Sequence, residues 1–163
     1  MKNVGIVGIG DMGSGLAKNL IKNGFSVIGL DLLEHRKLAF EAMGGQLARD
    51  YAEIGRASDA VFVMVMNGTE AKEIILGENG LVASMEKGGA ILLTATVKPT
   101  EAREIGAAMA GSGIDLIDSP VSGGFPGAQG GSLTLMAAAP ADILAKNRRV
   151  MEAVSKTIHH VGS

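Results

Sequence analysis

The sequence predicts an α/β fold built on a doubly wound, mostly parallel sheet. Three observations carry that prediction. Short apolar runs alternate with segments of helical periodicity along the whole chain. The runs show no polar alternation, as in Val61-Phe62-Val63-Met64-Val65-Met66, which suits strands covered on both faces. The 163 residues suffice for one domain, 1–163, with a sizeable core.

The elements follow in order. Residues 4–9 form an apolar strand run. Leu16, Ala17, Leu20 and Ile21 recur at helical spacing, so 13–23 reads as a helix that Gly24 ends. The run at 27–30 is a second strand, followed by a helix at 34–43 and room for a short strand at 44–48. A helix at 49–57 leads to the strand run at 60–66. Helices follow near 69–76, opened by Thr69-Glu70, and near 78–86. Another strand run occupies 90–95, and Pro99-Thr100-Glu101 opens a helix at 100–111. Strand runs at 114–117 and 133–138 bracket SGGFPGAQGGS, residues 122–132, whose composition reads as a flexible surface connection. A single helix at 140–155 completes the pattern.

Composition narrows the function classes. The net charge of −2 gives no general pull toward nucleic acid. With no Cys there is no disulfide, thiol nucleophile or thiolate metal site, in keeping with a reducing cytoplasm. No apolar stretch approaches a membrane span, and the chain opens on a strand rather than a secretory signal. His35, His159 and His160 have no metal-site spacing and read as surface or structural residues.

The first strand, helix and second strand carry the chemistry. Gly8-Ile9-Gly10-Asp11-Met12-Gly13 lies between the run at 4–9 and the helix at 13–23, and Asp31 ends the second run, 18 residues after Gly13. This is the order of a Rossmann-type dinucleotide site. Gly8 allows a tight turn, Gly10 lets the backbone approach a pyrophosphate, and Gly13 lets the helix pack on the strand. The helix start offers unpaired N–H groups to phosphates. A carboxylate at Asp31 suits a ribose diol and argues for NAD, since a 2′-phosphate would meet its charge. Arg36, five residues later, keeps NADP open, because it reaches a phosphate if its loop folds back.

Three segments together resemble the β-hydroxyacid dehydrogenase family, which includes 3-hydroxyisobutyrate, tartronate semialdehyde, L-threonate and 6-phosphogluconate enzymes. They are GIVGIGDMGSGLAKNLIKNGFSVIGLD; Thr94-Ala95-Thr96-Val97-Lys98-Pro99; and Asp118-Ser119-Pro120-Val121-Ser122-Gly123-Gly124, continuing through Gly127-Ala128 and Gly130-Gly131 to Ser132-Leu133-Thr134-Leu135-Met136. The third is the most specific, and the likeness runs over almost the whole chain. It implies that Gly8, Ile9, Gly10, Asp11, Met12 and Gly13 form the pyrophosphate turn and that Asp31 binds the adenosine ribose. Val65, Met66 and Asn67 would line the adenine or ribose side, and Thr96 the nicotinamide half. Ser122, Gly123 and Gly124 would hold the substrate's carboxylate or hydroxyl groups. Read alone, Thr96 suits a cap for the helix near Pro99, and Ser122 a loop serine facing water.

The chain departs from the family pattern at several places. Asp11 stands at a turn position usually apolar, Thr94 and Ala95 replace serines, Ser119 replaces alanine, and Ala137-Ala138-Ala139 replaces a glycine-containing loop. Family members also continue into an all-helical domain that carries the lysine acting as general acid/base. None of the lysines at 2, 18, 22, 37, 72, 87, 98, 146 and 156 lies in that lysine's context; Lys98 reads as a solvated residue before Pro99. The expectation is therefore the cofactor domain of a longer NAD-dependent 3-hydroxyacid dehydrogenase, inactive alone, with the helical domain as its partner and a homo-oligomeric parent. L-threonate and related sugar acids lead the candidate substrates. Loss of the partner domain is expected to bare an apolar face along 140–155 and 122–132. The alternatives are a stand-alone nucleotide-binding module without catalysis and an imine reductase domain.

Overall fold

The computed structural model of the chain describes residues 2–163. Its sheet starts in the middle. Strand β1 (Asn3–Val7) pairs on one side with β2 (Ser26–Leu30), which carries β3 (Gln46–Leu47). On its other side β1 pairs with β4 (Ala60–Val63), followed by β5 (Ala90–Leu93) and β6 (Asp115–Asp118). All of these pairings are parallel, in the order β3-β2-β1-β4-β5-β6. The chain winds outward from β1 in one direction and then returns to wind in the other. That leaves a crevice beyond the carboxyl ends of β1 and β4, where such sheets take ligands.

Consecutive residues of the central strands face opposite layers, and both layers are apolar. Phe62 and Leu92 pack with Leu16 and Leu20 of α1 (Asp11–Lys22) and with Val150, Met151 and Val154 of α9 (Arg148–Val154). Val61, Val63, Ile91 and Leu93 face the other way. They meet Ile54 of α3 (Tyr51–Ala57), Ile74 and Ile75 of α4 (Gly68–Leu76), Leu81 of α5 (Leu81–Ser84), and Ile105 and Met109 of α6 (Pro99–Met109). Helix α2 (Glu34–Ala42) contributes Phe40, which is 1% exposed. Asp50 caps α3 by accepting from the Glu53 N–H at 2.8 Å, and Asn67 caps α4 through the Glu70 N–H at 2.9 Å.

Several sequence expectations change. The strands expected at 60–66 and 90–95 end at Val63 and Leu93, and the chain leaves the sheet there. The Thr94 and Ala95 N–H groups both turn back onto the Val63 carbonyl. The helix near 78–86 shrinks to α5. Residues 122–132 are no flexible connection: β7 (Val121–Ser122) leads into helix α7 (Gly124–Gly130), ended by left-handed Gly131 at φ 66°. The helix expected at 140–155 is two, α8 (Ala141–Lys146) and α9, broken at the buried Asn147. Strand β8 (Leu133–Ala138) is antiparallel to β6 and β7 and parallel to a last strand, β9 (Ser155–Gly162), which the sequence reading did not expect. The expected apolar face is confined as well. The apolar side chains of α9 are buried in the core, while Phe125 on α7 is 52% exposed and Val161 on β9 is 62% exposed.

Candidate dinucleotide site

Gly8 turns out of β1 at φ 92°, a conformation that L side chains rarely adopt, and a Cβ there would run into the Met64 carbonyl oxygen. The turn is tied on both sides: the Gly8 N–H reaches Leu30 O at 3.2 Å, and the Met64 N–H reaches Val7 O at 3.0 Å. Gly10 is the N-cap of α1. A Cβ on Gly13 would collide with the Gly8 carbonyl oxygen, so hydrogen alone lets α1 start this close to β1. The turn is thus closed by glycines at the positions where a Cβ would collide with backbone.

Asp31 braces it from β2. One carboxylate oxygen accepts from the Ile9 N–H and the other from the Leu33 N–H, each at 3.0 Å. The Asp31 side chain is 7% exposed, and Arg36 Nη1 lies 3.4 Å from its Oδ2. Gly8, Gly10, Asp11, Met12, Gly13, Asp31, Val65 and Met66 line one cleft of about 420 Å³. Ile9 is buried beneath it and enters through its N–H. Asn67 caps α4 instead of lining the cleft.

Thr96 is exposed in the loop after β5, and the N-cap of α6 is Lys98, so Thr96 does not cap that helix. Ser122, Gly123 and Gly124 lie exposed at the start of α7. Both groups stand outside the cleft. Helix α7 is nevertheless docked on α1. The buried Asn19 donates to the carbonyls of Ala128 at 2.9 Å and Gln129 at 3.0 Å, and a Cβ on Gly15 would sit 2.6 Å from the Ala128 carbonyl carbon.

Sequence reasoning missed Leu32, Leu33, Tyr51, Met64 and Glu70, which also line the cleft. Tyr51 opens α3, which starts after the short strand β3, and only that topology brings it beside Asp31. Burial holds the Tyr51 hydroxyl above its ordinary pKa, and the carboxylates of Glu70, Asp31 and Glu73 add to the shift. This end of the cleft is therefore acidic, with Arg36 as its basic lining residue. Among the described residues, no group of three or more His, Cys, Asp or Glu could hold a metal ion, and no helix is long and apolar enough to cross a membrane.

A doubly wound sheet with this turn and this acid is the architecture of a dehydrogenase's dinucleotide domain. Residues 3–162 match the family described as the NAD binding domain of 6-phosphogluconate dehydrogenase, and the chain belongs to that family. It is 33% identical to the L-threonate dehydrogenase of Cupriavidus necator, covering 99% of this chain and 54% of that protein. It is 35% identical to the NAD-dependent L-serine dehydrogenase of Pseudomonas aeruginosa, with the same coverage of 99% and 54%. The chain spans about half the length of the curated relatives it matches. The solved 3-hydroxyisobutyrate dehydrogenase from Salmonella typhimurium superposes with a TM-score of 0.93 at 29% identity, over 100% of this chain and 57% of that one. Solved imine reductases share the fold at 19–20% identity, a likeness that bears on fold alone.

Proposed function

We propose that this chain is the NAD-binding half of a dehydrogenase that oxidises a small 3-hydroxy acid. The observation that carries the reading is the glycine turn at Gly8–Gly13, where Gly8 and Gly13 leave no room for a Cβ, with Asp31 bonded into it at the mouth of the cleft. That turn fits a dinucleotide: it presents the N-terminus of a twelve-residue helix, and Gly10 carries no side chain of its own between its backbone and a phosphate. Gly8, Ile9, Gly10, Asp11, Met12 and Gly13 would hold the pyrophosphate, and Asp31 the adenosine ribose. Val65, Met66 and Asn67 would flank the adenosine half. Thr96, after β5, would meet the nicotinamide half. Ser122, Gly123 and Gly124 would bind the hydroxy acid, with the docking of α7 on α1 holding them at a fixed distance from the turn.

When bound, NAD supplies the hydride acceptor. The residues of this chain bind and orient; the proton of the substrate hydroxyl is left to a group on a further domain, in keeping with relatives about twice this length. NAD is favoured over NADP because Asp31 and Glu70 make the adenosine end acidic. A homo-oligomeric parent and a cytoplasmic location belong to the same proposal.

Calorimetric titration tests the binding: micromolar to millimolar association with NAD is expected, and heat-silent titrations would remove the proposal. Assay of a full-length parent with L-threonate, 3-hydroxyisobutyrate, L-serine and tartronate semialdehyde tests the chemistry. NAD reduction with none of the three hydroxy acids, and no NADH oxidation with the semialdehyde, would end it.

A further inference from the structure

Arg36, on α2, reaches over the glycine turn. A Cβ at Gly10 would stand 3.1 Å from the Arg36 Cζ, 3.3 Å from Nη1 and 3.4 Å from Nη2, so the whole guanidinium rests on the glycine whose bareness leaves room for a pyrophosphate. Its one recorded ion pair is with Asp31, at 3.4 Å, and its side chain is 42% exposed. At 3.4 Å, and with the guanidinium side open to solvent although the Asp31 carboxylate is buried, the pair holds the guanidinium loosely. Asp31 already accepts a backbone N–H on each oxygen, so it keeps its place if Arg36 moves. The same turn carries Asp11, exposed in the first turn of α1, whose carboxylate opposes an incoming anion.

We propose that Arg36 is a pyrophosphate-binding residue: its guanidinium waits on Gly10 in the free chain and clamps the dinucleotide's phosphates when they arrive. This rests on the dinucleotide reading above. The clamp offsets the charge of Asp11 and gives the turn a cationic side chain besides its backbone N–H groups. A planar fork of N–H donors suits phosphate oxygens better than a point charge does. The neighbours are consistent with this assignment. Asp31, Glu70 and Asp11 give the cleft its acidic side chains, and Arg36 is the cationic side chain in that lining that an incoming phosphate would meet.

The test is calorimetric titration of the 163-residue chain and its Arg36→Ala and Arg36→Lys variants with NAD and with NADP, at low and high salt. Arg36→Ala should weaken NAD about tenfold, the size expected for one lost charged hydrogen bond. The loss should shrink at high salt, and Arg36→Lys should recover part of it. Unchanged melting of Arg36→Ala would show that the effect is on binding. A loss confined to NADP would put the guanidinium on the 2′-phosphate and overturn the proposal. Unchanged or tighter NAD binding by Arg36→Ala would overturn it as well, leaving Arg36 a bystander or a competitor. If the unaltered chain binds no dinucleotide, both this inference and the reading beneath it fall; if it binds and the variant matches it, only this one does.

Discussion

Asn19 and Ala128 are 109 residues apart in sequence and joined by a 2.9 Å hydrogen bond in the core. The Asn19 amide also reaches the Gly15 carbonyl at 2.9 Å and the Gln129 carbonyl at 3.0 Å. The helix that begins at the glycine turn and the helix that begins at Gly124 are therefore one rigid unit. Asn19→Ala strips partners from buried carbonyls. A loss of about 1–3 kcal/mol is expected, measured by urea denaturation. A loss under about 0.3 kcal/mol would mean that Gly15–Ala128 packing alone docks the helices.

Gly10 and Gly8 separate binding from folding. Gly10 has φ −72°, open to any residue, and the nearest atoms an added Cβ would meet are those at the movable end of Arg36. Gly10→Ala should melt as the parent does yet bind NAD at least tenfold more weakly, since a methyl fills the seat. Gly8→Ala would need the φ of 92° and would strike the Met64 carbonyl, so it should lose stability outright. Equal melting of the two variants would contradict this account.

Asp31 does two jobs, and its replacement should show both. Asp31→Asn retains a similar shape, although its NH2 cannot accept the backbone N–H that the second carboxylate oxygen does. It also removes the charge that a 2′-phosphate would meet. The ratio of NAD to NADP affinity should fall several-fold, alongside a modest drop in melting temperature. A ratio that stays fixed in paired titrations would assign cofactor choice to Glu70 instead.

Two carboxylates should give opposite pH signatures. The backbone N–H groups of Asn3 and Lys2, each donating at 3.0 Å, hold Asp59 below the usual carboxylate range. Its stabilisation is complete above the unfolded-state value and fades as pH falls through the lower folded value. Burial pushes Asp118 up, so its ionised form costs stability at neutral pH and that cost disappears as pH falls through its raised value. Asp59→Ala should therefore destabilise most at neutral pH. Asp118→Asn should stabilise there, with a benefit that vanishes in acid. Denaturation midpoints against pH would check both, and parallel curves for the variants and parent would refute both.

The glycine turn and its acid were readable because their signals are local: glycines at 8, 10 and 13, a helical stripe at Leu16, Ala17 and Leu20, and an acid closing the next apolar run. Helix α7 was not readable, because SGGFPGAQGGS has the composition of a linker and its order comes from Asn19 and Gly15, more than a hundred residues earlier. The break at Asn147 was hidden for the same reason. Ile143, Val150, Met151 and Val154 sustain one stripe across it, while the Asn147 amide turns back on the Ile143 carbonyl. Strand β9 escaped because most of its residues are exposed, so it carries little apolar signal. Tyr51 and Glu70 reach the cleft by topology, which periodicity does not encode.

Strand β9 closes the far edge of β8, and residues 155–162 are the final ones to join the sheet in chain order. A ribosome delivers the glycine turn well before this strand. Until residue 162 has emerged, β8 presents an open row of backbone donors and acceptors to whatever is near. The nascent domain is thus open to wrong pairing at this edge after the residues of its cofactor seat have emerged.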